Sequence, residues 1–253
     1  MLPCRTALKT VGASLALGVA LAMANPAAAA SNYAASAVGN LTLVQIASAG
    51  PLAGLSFSFT DDSDSTGSIF GAATNGGAAT VASFDDPLGL GVGFDLEVSA
   101  FADGLAGDDG AQSAGSSEHS AYAMGFLSIV NGSANTVDLT FGLNWLLDTA
   151  VGKTGGLLVE DAFGDASFEL TVNGASQFLS AISADVFLGP LDASVNELDE
   201  LFFSLAPGET LTLDLSASAF GTADASPVPV PAALPLLGSA LAGLWGMRRR
   251  RAA

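Results

Sequence analysis

The chain is poor in the residues that most enzyme and metal sites require. Its 253 residues include one cysteine and one histidine. The cysteine, Cys4, lies in a segment that we expect to be removed, so the mature form would have no disulfide, no thiol chemistry and no cysteine-ligated metal. A catalytic triad would depend on His119 alone, and a site with several histidine ligands is excluded.

Basic residues are almost as scarce. The chain has 7 lysines and arginines against 25 acidic residues, for a formal net charge of −18. Residues 31–226 hold every acidic residue but only one basic residue, Lys153. Such a surface cannot neutralise phosphates, so a nucleic-acid partner is excluded, and an anionic partner would need a bridging cation. Apolar residues make up 50% of the composition, which is enough to build a core.

The N-terminal segment, residues 1–30, has the order of a secretory signal peptide. Two basic residues precede the apolar run Val11–Met23, and Ala27–Ala30 then offers a small-residue cleavage site. The order predicts export through the Sec machinery and cleavage by signal peptidase before Ser31. The apolar run is too short to span a bilayer as a stable helix, which disfavours the alternative of a retained membrane anchor.

The C-terminal segment, residues 227–253, has three parts. Proline at every second position keeps its start extended, since proline blocks a helix and has no N–H to donate. The apolar stretch Ala232–Met247 would span about 24 Å as a helix, short of a ~30 Å hydrocarbon core unless arginines snorkel at its end. The cluster Arg248, Arg249, Arg250 and Arg251 predicts a cytoplasmic C-terminus with the acidic domain outside.

The first of these parts reads Val228, Pro229, Val230, Pro231 and Ala232. Together with the helix and the arginine cluster it resembles a PEP-CTERM sorting signal, in the variant whose core is V-P-L-P-A, with Val230 in place of leucine. The resemblance implies that the tail is a substrate signal for an exosortase, a transpeptidase-like membrane protease of Gram-negative bacteria that make exopolysaccharide. It implies an inner-membrane precursor that later reaches the cell surface or matrix. A plain C-terminal anchor without processing is the alternative.

Between these ends, apolar and polar residues alternate with period two, which is typical of strands with one buried face. We predict an all-β fold, an antiparallel β-sandwich that is jelly-roll-like, with about ten strands in one domain over residues 31–226. The clearest alternating stretches are Leu55–Thr60, Phe94–Ala100, Val137–Trp145, Ser167–Val172 and Leu211–Ala219.

Turn and helix signals divide these stretches. The dipeptides Asn75-Gly76, Asn131-Gly132, Asn173-Gly174 and Pro207-Gly208 predict hairpin turns, because asparagine and glycine tolerate left-handed backbone angles. Ser194–Leu201 predicts one or two helical turns, with Ser194 as the N-cap and an acidic residue three positions later.

Carboxylates are the candidates for a metal site. Asp61, Asp62 and Asp64 place several oxygens within a short Ser- and Gly-containing segment, as calcium prefers, although the spacing does not complete an EF-hand. The other interpretation is a solvated acidic turn. The same two interpretations apply to Asp103, Asp108 and Asp109, and to Asp85-Asp86. We predict no other cofactor.

His119 is interpreted as a surface-loop histidine, because a general base would need a positioned nucleophile and an orienting acid. Clefts that bind sugars are usually lined with Trp and Tyr, and residues 31–226 contain only Trp145, Tyr33 and Tyr122. Because Trp145 also lies on the apolar face of its strand, these residues give little support to a sugar-binding surface. A glycosidase needs only two nearby carboxylates, so the acidic residues leave that alternative open.

Taken together, the sequence predicts an exported, non-enzymatic β-sandwich with a structural or adhesive role in the envelope or the exopolysaccharide matrix. Its expected partners are signal peptidase and the Sec machinery, an exosortase-type protease, the inner membrane transiently, and exopolysaccharide. A carbohydrate-binding module with a specific glycan ligand is the alternative, and a glycoside hydrolase is a more distant one.

Overall fold

A computed structural model describes residues 30–85, 94–107, 114–153 and 160–226. These residues form ten long β-strands, and no helix is present among them. The strands are β1 (Ser31–Ser48), β2 (Leu55–Gly71), β3 (Ala73–Asp85), β4 (Phe94–Ala106), β5 (Gly115–Asn131), β6 (Val137–Lys153), β7 (Glu160–Val172), β8 (Ala175–Asp185), β9 (Asp192–Leu205) and β10 (Thr210–Ala225).

The strands build two antiparallel sheets that pack face to face. Sheet I has the order β3-β4-β1-β6-β9, and sheet II has the order β2-β5-β10-β7-β8. Successive strands change sheets at every step except β3–β4 and β7–β8, so most connections cross from one layer to the other. The prediction of an all-β antiparallel sandwich with about ten strands is confirmed.

The core lies between the sheets and follows the predicted alternation. Along β5, β6 and β10 nearly every second residue is buried, while the residues between them face outward. This is the expected pattern for sheets with one face in a core and one in water. The largest apolar side chains with almost no exposure are Leu41, Leu96, Leu127, Ile129, Leu139, Phe141, Leu143, Leu147, Phe168, Leu170 and Leu213.

Two large rings fit between the sheets because glycine lies opposite them. A Cβ atom on Gly39 would overlap the Phe168 ring, and a Cβ atom on Gly221 would overlap the Tyr33 ring. Both glycines lie inside strands and are needed for space, not for a special backbone angle. Sheet I and sheet II therefore interdigitate by setting a ring on one strand against a glycine on another.

The turn predictions are right at one position and wrong at three. Asn173 (φ 51°) and Gly174 (φ 76°) form the tight β7–β8 hairpin, as predicted. Asn75-Gly76 lies within β3, where the strand continues through it. Asn131-Gly132 and Pro207-Gly208 make turns, but each joins strands of different sheets.

The Asn131 side chain explains why its segment crosses between the sheets. Its Nδ2 donates to the carbonyl oxygens of Asn135 (2.9 Å) and Leu205 (2.8 Å), and its Oδ1 accepts from Ser133 Oγ at 2.7 Å. The side chain is fully buried and ties the β5–β6 loop to the end of β9 at one end of the sandwich. These side-chain hydrogen bonds, and not the cross-strand pairing of a hairpin, fix the conformation of the loop.

The helix predicted at Ser194–Leu201 is wrong, because β9 spans this segment. It pairs with β6 along its whole length, from Asp192 opposite Ala150 to Leu205 opposite Val137. Pairing with a long strand outweighs a local capping signal in a helix too short to be stable alone. The outward face of β9 leaves Leu198 and Phe202 exposed.

Candidate functional sites

The aspartates proposed for calcium lie on a strand and not in a loop. Asp61, Asp62 and Asp64 belong to β2, the edge strand of sheet II, and are paired with β5. Because neighbours on a strand point to opposite faces, Asp62 and Asp64 share the outer face and Asp61 points the other way. All three are exposed. The strand separates one of the three carboxylates from the other two.

A metal site within one chain is not assembled from them. Among the residues that the structure describes, no group of three or more His, Cys, Asp or Glu side chains is close enough to hold a metal ion. Asp103 is in β4, and Asp108, Asp109 and Asp86 lie outside the described residues. The calcium hypothesis stays a prediction, and it requires a partner molecule to complete the ligands.

His119 is buried, so its interpretation as a surface-loop residue is wrong. It lies in β5 with 7% of its surface exposed, facing sheet I. A Cβ atom on Gly67 or on Gly77 would overlap the imidazole ring. The ring therefore occupies a space that glycines leave open on the two edge strands β2 and β3.

The Nε2 atom of His119 lies 2.8 Å from Ser65 Oγ on β2. This is a serine beside a histidine at hydrogen-bonding distance, the first two parts of a nucleophilic site. The Nδ1 atom is buried without a hydrogen-bond partner among the described residues. Among the described residues no acid orients the imidazole, so Ser65 and His119 form a hydrogen-bonded pair without the third member of a triad.

A polar layer surrounds the histidine. Asn75 Nδ2 donates to the carbonyl oxygens of Ser68 (3.1 Å) and Glu118 (2.8 Å), which links β3 to both β2 and β5 across the sandwich. Ser117 Oγ donates to the Thr74 carbonyl at 2.9 Å. These bonds join sheet I to sheet II where apolar side chains are small.

Tyr33 completes this layer. Its hydroxyl lies 3.5 Å from Ser117 Oγ, and its ring fills the space beside Gly104 and Gly221. Burial is the main cause that raises the pKa of the Tyr33 hydroxyl, and the Asp103 carboxylate adds to it. The tyrosine is therefore a neutral structural group at physiological pH.

A groove of about 250 Å³ crosses the outer face of sheet I. Its floor consists of the small side chains Ala34, Ser36 and Ala150 on the central strands β1 and β6. The Phe101 ring on β4 forms one side and is 42% exposed. The other side is formed by outward-facing polar residues of β6 and β9, namely Asp148, Asp192 and Ser194.

Sheet II also carries rings on its outer face. Tyr122 (β5), Phe220 (β10) and Phe163 (β7) follow one another diagonally, and the rings of Phe163 and Phe220 have centroids 6.3 Å apart. Tyr122 is 38% exposed and donates to Met124 Sδ at 3.1 Å. Burial, and then the carboxylates of Asp62 and Asp214, raise the pKa of the Tyr122 hydroxyl.

Sequence reasoning missed both of these surfaces. Phe101, Phe163 and Phe220 lie on the same outward faces as polar residues of their own strands. The sequence does contain a sign of their outward orientation, since each of these three phenylalanines lies between small residues, alanine or glycine, that are buried. What the sequence did not show was which strands pair, and pairing decides whether isolated outward rings become neighbours.

The residues of the predicted sorting motif, 228–232, and the arginine cluster 248–251 lie outside the described residues. The same holds for the predicted signal peptide, apart from its last residue, Ala30. Within the described ranges no helix is long and apolar enough to cross a membrane.

Comparison with known proteins assigns no family to the chain. No family profile matches it, and no curated protein is significantly similar. Among solved structures, a lysenin pore is 8% identical over 64% of this chain and 48% of that one, with a TM-score of 0.14. Tailspike protein 4 of bacteriophage CBA120 is 10% identical over 62% and 18% of the two chains, with a TM-score of 0.11.

A third solved structure, TmCBM61 in complex with beta-1,4-galactotriose, is 11% identical over 37% of this chain and 68% of that one, with a TM-score of 0.10. Similarity at these TM-scores carries no argument about fold or function.

Proposed function

We propose that this is an exported protein of the cell surface or extracellular matrix, sorted through its C-terminal tail by an exosortase-type system. Its role is structural or adhesive and not enzymatic. The proposal is carried by the order of the tail sequence: the Val228–Ala232 motif, an apolar stretch and the cluster Arg248–Arg251. The signal peptide at the other end supports export.

The boundaries of the sandwich support this proposal. β1 begins at Ser31, directly after the expected cleavage site, and β10 ends at Ala225, directly before the proline-rich motif. The two ends meet, since Ser31 Oγ donates to the Asp224 carbonyl at 2.8 Å. All ten described strands lie within residues 31–225, so both terminal segments are expected to be removable without loss of the core.

Changing the tail motif tests the sorting step. Replacing Val228–Ala232 with glycine and serine should leave unprocessed precursor in the inner membrane, seen as a band of higher mass in the membrane fraction. Val230→Leu, which restores the V-P-L-P-A pattern, is the matched control and should sort normally. Surface material of normal size from the glycine-serine variant would refute the sorting role and leave a plain anchor.

N-terminal sequencing of the exported protein tests the signal peptide. The expected first residue is Ser31. A sequence that begins at Met1 would refute cleavage and favour the retained anchor.

A carbohydrate-binding module is the second candidate, and one observation favours it. The outer faces carry partly exposed rings, Phe101 on sheet I and Tyr122 on sheet II, beside hydroxyl and carboxylate groups. Rings of this kind stack on sugars while polar neighbours bond to hydroxyls. Retention on a polysaccharide column that is lost in both Phe101→Ala and Tyr122→Ala would support this candidate.

A further inference from the structure

The groove on the outer face of sheet I has a defined shape. Ser36 lies between Phe101 and Asp148 in the strand register, and Ala34 lies between Asp103 and Ala150. Neighbouring strands are about 4.8 Å apart, so the distance from β4 to β9 is about 14 Å. The floor is long enough for two sugar rings laid across the strands.

The groove has one apolar side and one acidic side. Asp148 and Asp192 are exposed carboxylates, which accept hydrogen bonds and cannot donate them. Of the described residues that line the groove, none is basic. Lys153 lies further along β6, with its Nζ 4.6 Å from the centre of the Phe187 ring. An occupant must therefore supply donors and positive charge.

Each side of the groove favours an ammonium group, although the two sides are too far apart to hold the same one. The ring attracts one cation through its quadrupole, and a carboxylate binds another through a charge-assisted hydrogen bond. Ser36 and Ser194 add hydroxyl groups that can bond to sugar hydroxyls. An anionic glycan would be repelled by the acidic sandwich, and a neutral one would form only the weaker hydrogen bonds that lack charge assistance.

We propose that this groove binds an amine-bearing polysaccharide, a polymer of amino sugars whose amino groups are free and protonated. The proposal rests on the function proposed above, because it names the glycan that the matrix protein would hold. The Phe101 ring contacts one sugar, Asp148 and Asp192 bind ammonium groups, and the small floor admits the rings.

Binding of a β-1,4-linked glucosamine hexamer to the full chain in mild detergent tests the proposal, measured by calorimetry. Removing both charges with Asp148→Asn and Asp192→Asn should weaken binding about tenfold or more, since a charge-assisted bond is lost at each position. The matched control is Asp62→Asn with Asp64→Asn, which removes the same charge from sheet II. It should change the dissociation constant less than about twofold, because distant exposed charges are screened.

A second variant separates the groove from general attraction between a polyanion and a polycation. Ser36→Phe fills the floor and leaves every charge in place, so it should abolish specific binding while the far-UV circular dichroism stays unchanged. If Ser36→Phe disturbs the fold, Phe101→Leu keeps the apolar volume, removes the aromatic face and should still weaken binding severalfold. Unchanged affinity in a folded groove variant would overturn the proposal.

Two further probes check the ligand class. The N-acetylated hexamer has the same backbone without ammonium groups and should bind at least about tenfold more weakly. Equal binding of that hexamer would overturn the role of the amine, and equal binding of hexalysine would make the groove a site for basic peptides. The sorting and groove proposals can fail separately, since the tail variants are read from localisation in cells and the groove variants from affinity in solution.

Discussion

The middle of the sandwich and its end near Ser31 use the same packing device with different chemistry. In the middle, Phe168 enters the space at Gly39 and stacks on Trp145 with centroids 5.8 Å apart. Near Ser31, the Tyr33 and His119 rings enter spaces left by glycines among hydrogen-bonded groups. The comparison shows that shape is specified by the glycines, whereas polarity is set by the ring inserted.

The two regions should differ in what a deletion costs. Phe168→Ala removes a fully buried ring from an apolar layer and should lower the free energy of unfolding by about 4 kcal/mol, from lost burial and the cavity that remains. Tyr33→Phe keeps the ring and removes only a hydroxyl 3.5 Å from its partner, so it should cost less than about 1 kcal/mol. Urea denaturation measures both. Equal losses would mean that hydrogen bonds dominate the polar end.

The glycines should be almost as intolerant as the rings. Gly39→Ala and Gly221→Ala force a Cβ atom into Phe168 and Tyr33, and each should lower the free energy of unfolding by about 3 kcal/mol. Gly142→Ala is the matched control, because its Cβ atom would meet only Val44 at 3.5 Å. It should be neutral or stabilising by up to about 1 kcal/mol, since alanine is less flexible in the unfolded chain. If Gly221→Ala left the free energy of unfolding unchanged, this would contradict the packing of a ring against a glycine at the polar end.

Ser65→Ala tests the buried histidine with a smaller effect. It leaves the Nε2 atom of His119 without a partner, in addition to Nδ1, and should cost about 1 kcal/mol. The same variant tests whether Ser65 is a reactive nucleophile. We expect a serine-directed fluorophosphonate probe to label neither the parent protein nor Ser65→Ala. Labelling of the parent protein that is lost in Ser65→Ala would instead support the hydrolase hypothesis.

The smallest expected effect is electrostatic. Burial, and then the carboxylates of Asp161 and Glu118, raise the pKa of Asp224. The folded state then holds this proton more tightly than the unfolded chain, so stability rises as the pH falls through the folded pKa toward about 4. Asp224→Asn should be more stable at pH 7 by less than about 1 kcal/mol, because much of the side chain is in solvent. It should also gain less on acidification.

Melting temperatures at pH 7 and pH 4.5 measure that difference. Asp185 is the control of opposite sign, because backbone N–H groups of Phe187 and Leu188 lower its pKa. Its contribution should persist at pH 4.5 and be lost only as the pH falls below about 4. A larger acid-induced gain in Asp224→Asn than in the parent would contradict the assignment.

The sequence was sufficient to predict the β-sandwich, but it was not sufficient to predict the arrangement of side chains on its outer faces. Alternation with period two predicts strands such as β6 and β10 directly, because burial of every second side chain depends only on the local pattern. The acidic run of β2 and the polar segment of β9 were misjudged, since both are edge strands whose pairing partner determines their conformation.

The candidate sites were harder to predict from the sequence than the strands, because they also depend on which strands pair. His119 and Ser65 are far apart in sequence and meet only through the β2–β5 pairing, and the groove depends on residues from four strands. A histidine between Glu118 and Ser120 gives no sign of burial until the facing glycines of β2 and β3 are known.

If the predicted tail holds the protein in a bilayer, the meeting of Ser31 and Asp224 sets its height above the membrane. With both ends of the sandwich at one pole, that pole would be lowest and the opposite pole outermost. β1 runs 18 residues between the poles, which places the loops around Asn131 and Pro207-Gly208 about 55 Å farther out. Those loops would be the first part of the molecule that a neighbouring cell, an antibody or a protease meets.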